Sequence, residues 1–433
     1  MRNAVRHTLT LAATLLLGAC LDSPEPARPD TSASDTTDTT ATDTTATDTT
    51  ATDTTTTDTD VVTPAPMALA STLQGTRMSV HNDAFTLGFS QASGYLPDRL
   101  VNNVRPDENL VFGDTDIHEV FVGLSLFDIF HVWQNIGLPV IDLAGPALVA
   151  LHKDWTFGAE DRNMQGHTWM TIHADGRIYL AFDFSTNFQA DGATLVAYAA
   201  LDISRFSRVF VGPSTSSALP SGNATAAEPW FSGIPGVAPY LCATNEINGD
   251  TVGWINRQIT ASPIIDERIT EFVTSTTADA SVRLQYDFWT NGTPAGTYAG
   301  RFLLGFDASG SCGRIGQWAD AFHSPPTMSV SSGVLDGNAD GDSDHDGFND
   351  RGGYYSIDAD GARAVVFQLA EAVQSLSLRI HGTPSWGAPT VTVGALDLID
   401  PGQNMVWQAQ DSNGGWLVMN ARIPARTAIT IAW

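Results

Sequence analysis

The segment Leu335–Asp350 reads Leu-Asp-Gly-Asn-Ala-Asp-Gly-Asp-Ser-Asp-His-Asp-Gly-Phe-Asn-Asp. Asp342, Asp344 and Asp346 alternate, Gly347 permits a sharp turn, and Asp350 follows. Ca²⁺ takes about six to eight oxygens in a flexible shell, and alternate carboxylates around a glycine turn supply them. The expected ligands are Asp342, Asp344, Asp346, the carbonyl of Phe348 and Asp350. Asp336, Asn338 and Asp340 offer a second ion site, and Asp358 or Asp360 a remote carboxylate to complete the first. Aspartates packed this densely repel one another, so a folded loop is expected to need the metal. The alternative is an acidic, flexible linker.

A second set of candidates comes from the hairpin between His167 and Ser185. Its loop, Ala174-Asp175-Gly176, suits a type I turn closed by a left-handed glycine and a bulge. That loop fixes the register, placing His173 opposite Arg177, Thr171 opposite Tyr179, Trp169 opposite Ala181 and His167 opposite Asp183. Met170, Ile172, Ile178, Leu180, Phe182 and Phe184 then share a core face. The other face is polar and aromatic and is expected to be exposed. On it Asp183 orients the His167 imidazole, with His173, Arg177 and Tyr179 close by. A base of the His or Tyr type beside a cation suits a polysaccharide lyase, where the cation neutralises a uronate carboxylate. Two carboxylates would suit a glycosidase instead; Glu160, Asp161 and Asp183 are available for that. Trp169 and Tyr179 suit stacking on pyranose rings. A surface hydrogen bond without catalysis is the plain alternative for the His–Asp pair. No Gly-x-Ser-x-Gly elbow, His-Glu-x-x-His helix, phosphate loop or dinucleotide glycine run occurs.

These side chains need strands to carry them. Gly, Thr, Val, Phe and Trp are abundant, and short alternating segments recur between turn residues, which predicts an all-β chain of sandwiches. Met78–Phe89 alternates around an Asn82-Asp83 turn. In Ser281–Trp289, Val282, Leu284, Tyr286 and Phe288 form one face and Arg283, Gln285, Asp287 and Trp289 the other. Tyr298–Phe306 is expected to pair with it across the Asn291–Gly296 loop and to form an exposed concave sheet, on which Trp289 is a candidate substrate-binding residue. Leu369–Val373 is expected to make one helical turn. After the acidic segment, 364–369, 375–380, 390–393, 416–420 and 428–433 read as strands of a small second sandwich. Within it Trp386, in the Pro/Gly loop Gly382–Pro389, is the best exposed sugar platform.

The expected organisation is therefore a signal over 1–19, a tether over 20–66, a large β-sandwich over 67–326, a calcium junction over 327–353 and a C-terminal β-sandwich over 354–433. The chain has 21 basic and 48 acidic residues. Without the three arginines and ten acids ahead of Val61, 18 basic face 38 acidic residues, net −20. Such a field repels nucleic acid and anionic lipid surfaces. Lys153, in His152-Lys153-Asp154-Trp155, is the only lysine. Cys242 and Cys312 are expected to pair in an oxidising compartment; two buried free thiols are the alternative.

At the N-terminus, Arg2 and Arg6 precede an apolar run from Leu9 to Leu17 that is too short to span a bilayer, which takes about 20 residues. Leu17-Gly18-Ala19-Cys20 resembles the lipobox of bacterial lipoproteins. The resemblance implies acylation of Cys20, cleavage before it, and a membrane anchor. Asp22 is not adjacent to Cys20, so the outer membrane is the expected address. From Leu21 to Pro66 the chain is Thr/Asp-rich and free of aromatics. It is expected to be a solvated linker spanning roughly 37 Å as a flexible coil.

Two further resemblances concern the body. Asp342–Asp350 resembles the Asp-x-Asp-x-Asp-Gly-x-x-Asp loops of thrombospondin type 3 and dockerin repeats, which implies structural calcium. It departs from an EF-hand because Gly353 stands where the bidentate Glu would be. His81–Phe89 followed by Ser93–Leu100 resembles the opening hairpin of the galactose-mutarotase-like supersandwich of sugar epimerases and some polysaccharide lyases. It implies that fold for the large domain and polysaccharide or glycan as its partner. The functional expectation is a lipid-anchored surface protein that binds polysaccharide and, on the catalytic alternative, cleaves it. The other expectation is a non-catalytic adhesion or envelope protein that contacts proteins.

Overall fold

The computed structural model describes residues 68–433 except 92–94, 112–123, 127–128, 132–137, 160–161, 190–194, 213–214, 219–228, 232–239, 258–265, 274–279, 290–291, 384–386, 398–405 and 412–413. Cys20, the signal, the tether, Glu160, Asp161 and Trp386 lie outside the described residues, as does the side chain of Trp289. The described residues belong to one compact unit, Val62–Trp433. Among them no helix is long and apolar enough to cross a membrane.

The chain is all-β, as its alternation predicts. The elements that build the site are, in chain order, β1 (Leu148–Ala159), β2 (Arg162–His173), β3 (Arg177–Thr186), β4 (Thr251–Asn256), β5 (Gly296–Asp307), helix α1 (Gly313–His323), β6 (Tyr354–Asp358) and β7 (Leu376–His381). A nine-stranded antiparallel sheet runs from Thr215–Ala218 through Arg208–Val211, Leu241–Thr244, β4, β5, β3, β2 and β1 to Val140–Ala144 at its edge. One face packs on two four-stranded sheets. The first is made of Ala70–Gln74, Arg77–His81, Phe85–Ser90 and Pro97–Asn102; the other of Leu195–Asp202, Ala280–Trp289, Asp266–Val273 and Pro229–Phe231. Met170, Ile172, Ile178, Leu180, Phe182 and Phe184 are buried in that core with Val282, Leu284 and Tyr286. Trp254 stacks on Phe302 at 5.1 Å, and the Tyr286 hydroxyl donates to the Trp254 carbonyl at 3.0 Å.

The expected pairing of Ser281–Trp289 with Tyr298–Phe306 is corrected. Ala280–Trp289 pairs with Leu195–Asp202 and Asp266–Val273, whereas β5 pairs with β3 and β4. The connection crosses between sheets because both segments have an apolar face to bury against the same core.

The outer face of the nine-stranded sheet is partly covered by α1 and by a second pair of sheets. One contains Met328–Ser332, Ala364–Leu369, Ile429–Ala432, Thr390–Val393 and Leu396–Asp397. The other contains Val334–Leu335, β6, β7, Gly414–Met419 and Val406–Asp411, with Phe348–Asn349 beside β6. Met328–Ser332 pairs with Ala364–Leu369, so the acidic loop is an insertion within the strand order of the second sandwich. Residues 370–373 hold bends and a bridge in place of the expected helical turn. The Val373 N–H and carbonyl bond to Ile423 instead. Helix α1 buries Ile315, Trp318, Ala319 and Phe322 on a sheet surface cleared by glycine: a Cβ at Gly253 would lie 2.2 Å from Ile315 Cγ2. Cys312, at its N-terminus, is bonded to Cys242.

Candidate functional site

The predicted hairpin register is observed: Thr171 faces Tyr179, Trp169 faces Ala181 and His167 faces Asp183. Gly176 closes the loop at φ +94°. The polar face splits into a buried half and an open half, because the turn 349–353 of the acidic loop crosses it.

The buried half corrects the expectation of exposure for His173, Arg177 and Tyr179. His173 is fully buried, and Arg177 and Tyr179 are 5% and 3% exposed. Arg177 forms an ion pair with Asp175 at 2.8 Å and donates to Ser377 Oγ at 2.8 Å and to the Tyr179 hydroxyl at 3.3 Å. Ser377, on β7, bonds His173 Nδ1 at 2.9 Å, and His173 Nε2 meets the Gly352 carbonyl at 2.9 Å. A carbonyl only accepts, so Nε2 carries the proton and Nδ1 accepts from Ser377. Neither ring nitrogen is left to act as a base. Burial first, and then Arg177, push the His173 pKa down to about 4. Burial opposes the Asp175 charge, but Arg177 overrides it and holds the carboxyl at about 2. Burial raises the Tyr179 phenol above its ordinary value, so the hydroxyl stays protonated at neutral pH. Gly353 makes this packing possible: at φ +70°, a Cβ there would sit 1.9 Å from Tyr179 Cζ.

Arg177 and Tyr179 nevertheless reach the floor of a cavity of about 570 Å³. Trp318 and His323 of α1, Phe348, and Tyr355 of β6 wall it, and Glu371 and Arg422 are among its other residues. The Tyr355 hydroxyl donates to the Pro326 carbonyl at 2.6 Å. His323 Nε2 donates to the Asn256 carbonyl at 2.5 Å, and burial lowers the His323 pKa. Helix α1 is unannounced by the strand-like alternation of the chain, although Ile315, Trp318, Ala319 and Phe322 recur at i, i+3, i+4 and i+7, the pattern of an amphipathic helix.

The open half is a groove of about 510 Å³ lined by Asp154, Gln165, His167, Asp183, Ser185 and Thr297, among others. His167 is oriented by Asp154, not by Asp183. The Nδ1 atom lies 2.6 Å from Asp154 Oδ1, because Asp154 on β1 is its cross-strand neighbour on the other side. Asp183 is held by Arg301 and, at 3.2 Å, by Arg351. Trp169 is half-buried, and the Arg351 guanidinium lies 3.8 Å from its ring centroid. The face expected to stack on a sugar is therefore occupied by arginine. Trp289 ends its strand opposite Leu195.

In the acidic loop, carboxylate oxygens of Asp342, Asp344 and Asp346 lie within 4.8 Å of one another. Asp342 accepts the N–H groups of His345 and Gly347 at 2.8 and 2.9 Å, and Gly347 turns at φ +86°. Burial pushes the Asp346 carboxyl up to about 6 and also raises Asp350. Three converging hard oxygens of this kind could hold a metal ion. Contrary to the expectation that a folded loop needs the metal, two arginines balance part of its charge. Arg257 pairs with Asp344 at 2.9 Å and Asp350 at 2.6 Å, and Arg351 pairs with Asp340 at 2.8 Å. Asp336 is turned to His381 at 3.3 Å, and Asp358 receives the Asp360 N–H. Among the described residues, the converging group consists of Asp342, Asp344 and Asp346 alone.

No family profile matches the chain, and no curated protein matches its sequence. Solved structures overlap it in part. A galactose 1-epimerase from Lactobacillus acidophilus NCFM is 6% identical over 56% of this chain and 99% of its own, with a TM-score of 0.35. A putative aldose 1-epimerase from Escherichia coli K12 is 9% identical over 55% and 99%, with a TM-score of 0.31. The heparan sulfate lyase HepC from Pedobacter heparinus is 12% identical over 71% of this chain, which spans 40% of the lyase, with a TM-score of 0.33. Identities and TM-scores this low assign no chemistry to this chain.

Proposed function

We propose that this chain is a glycan-binding protein held to a membrane by acylated Cys20, with its main site in the cleft between the nine-stranded sheet and the second sandwich. The observation that carries this reading is the floor of the roughly 570 Å³ cavity, where Arg177 and Tyr179 present fixed polar groups beneath the aromatic walls of Trp318, Phe348 and Tyr355. Aromatic side chains beside convergent polar groups, here also Asp320, Glu371 and Arg422, are the elements of a small-ligand site. Pyranose rings combine apolar faces with hydroxyl edges, and the cleft offers partners for both. The protonated Tyr179 hydroxyl and the Asp175-neutralised Arg177 suit recognition better than proton abstraction, so binding without cleavage is the preferred form of the proposal. The groove beside His167 extends the surface available to a longer chain.

Calcium belongs to the same reading as a structural ion. Asp342, Asp344 and Asp346 would hold it, with the Phe348 carbonyl and Asp350 as further donors, and it would fix the loop that walls the cleft. The expected address is the outer membrane or cell surface.

The test is a panel of neutral and uronic polysaccharides offered, with calcium, to the mature chain carrying Cys20→Ser, which removes only the acyl anchor. Binding is read directly, and ultraviolet absorbance of unsaturated uronates and new reducing ends are read alongside. Binding without product supports the proposal, and product formation restores the enzyme alternative. No binding to any polymer sinks the glycan reading. It would favour protein contact at the sheet edge, where Leu138, Val140 and Ile141 are exposed, a surface open to strand pairing.

A further inference from the structure

The acidic loop belongs to the second sandwich, yet its closest cation comes from the first. Arg257 follows β4 and is itself almost fully buried, with its side chain 5% exposed. Its guanidinium reaches Asp344 Oδ2 at 2.9 Å, Asp350 Oδ1 at 2.6 Å and Asp346 Oδ2 at 3.7 Å, and it lies 5.5 Å from the Phe348 ring centroid. Two of the three carboxylates that converge for a metal, Asp344 and Asp346, are thus already turned towards a fixed positive charge. Asp342 is not among the Arg257 ion pairs; its oxygens take backbone N–H groups from the loop itself.

We propose that Arg257 is a resident cation of the acidic loop, competing with a divalent ion for Asp344, Asp346 and Asp350 and holding the loop on the first sandwich when no ion is bound. The inference rests on the calcium reading above and goes beyond it, because it assigns the affinity of the site to a residue outside the loop. Two cations cannot neutralise the same carboxylates at full strength, since each weakens what the other gains. An ion entering this loop must therefore outcompete a guanidinium that is already buried and paired. The site should fill only at high calcium, in the range of about 0.1–1 mM typical of extracellular modules and not in that of intracellular sensors. A chain that carries its own substitute cation also keeps the Tyr179-side wall of the cleft in place where calcium is scarce.

The experiment compares the mature chain carrying Cys20→Ser with the same chain bearing Arg257→Gln. Calcium is titrated by calorimetry after chelation, and cleavage between 336 and 350 by an aspartate-directed protease is followed with and without calcium. The expected result is that Arg257→Gln binds calcium about tenfold tighter or more. Its loop should also be cut faster than wild type without calcium and be protected again when calcium is added. Equal or weaker calcium binding by Arg257→Gln overturns the inference while leaving the calcium reading intact. No calcium binding by either chain overturns both. If Arg257→Gln fails to fold, as judged by circular dichroism, Arg257→Lys takes its place. An ammonium reaches fewer carboxylates than a guanidinium, so Arg257→Lys should bind calcium severalfold tighter than wild type, and unchanged or weaker binding overturns the inference.

Discussion

The Arg351 guanidinium covers the Trp169 ring at 3.8 Å while its two terminal nitrogens reach Asp340 and Asp183. One side chain thus fastens the acidic loop to the outer face of the nine-stranded sheet. A largely desolvated cation–π contact contributes about 2 kcal/mol, and the half-exposed ion pairs add less. Arg351→Ala is expected to lower stability by roughly 1–3 kcal/mol in denaturant unfolding and to shift the fluorescence of the uncovered Trp169. An unchanged midpoint would mean that the loop is held elsewhere.

The Cys242–Cys312 bond closes a separation of 70 residues and ties the N-terminus of α1 to the nine-stranded sheet. On the chain-entropy account a loop of that length is worth about 4 kcal/mol. The double variant Cys242→Ala/Cys312→Ala, or reduction of the wild type, should lower the unfolding free energy by roughly 2–5 kcal/mol. Because α1 supplies Trp318 and His323 to the cleft, ligand binding should weaken in parallel. Loss of stability with intact binding would separate the helix from the site.

Acid should loosen the joint between the sandwiches in a defined window. The folded pKa of His173 is about 4, against an ordinary 6.5. The unfolded chain therefore binds this proton first as pH falls, and the His173 contribution is fully present above 6.5 and lost progressively down to about 4. The full effect is on the order of 3 kcal/mol. Asp175, held at about 2, adds a second loss between 3.8 and about 2. Unfolding free energy measured against pH should fall through the first window, and His173→Asn should flatten that fall. An equal slope in the variant would contradict the assignment.

Alternation and turn chemistry made much of the fold legible. Ala174-Asp175-Gly176 set the hairpin register residue by residue, and the second-sandwich strands fell close to where their apolar alternation put them. What alternation could not tell is whether a polar face meets water or another layer. His173, Arg177 and Tyr179 read as exposed because they alternate with the core residues Ile172, Ile178 and Leu180 and so point to the opposite face, yet their partners Gly352, Gly353 and Ser377 lie about 175–200 positions away. The same limit hid Asp154 as the partner of His167, since both flanking strands offered a carboxylate and only the Arg301–Arg351 pair decides which one is taken. The convergence of Asp342, Asp344 and Asp346 was legible from their spacing. Arg257, which reaches into the acidic motif from the end of β4, leaves no trace in that motif.

The most direct test of the proposed cleft is calorimetric binding of a glycan selected from the panel to the mature Cys20→Ser chain and to the same chain with Tyr179→Phe. The substitution removes one hydroxyl from the cavity floor and leaves the ring packed between His173 and Phe322. The account predicts a loss of affinity of roughly ten- to hundredfold, the worth of about 1–3 kcal/mol for a buried hydrogen bond, in a chain that stays folded with a lowered unfolding midpoint, because Arg177 loses one acceptor. Equal affinity in the two chains would contradict it and place the ligand away from Tyr179.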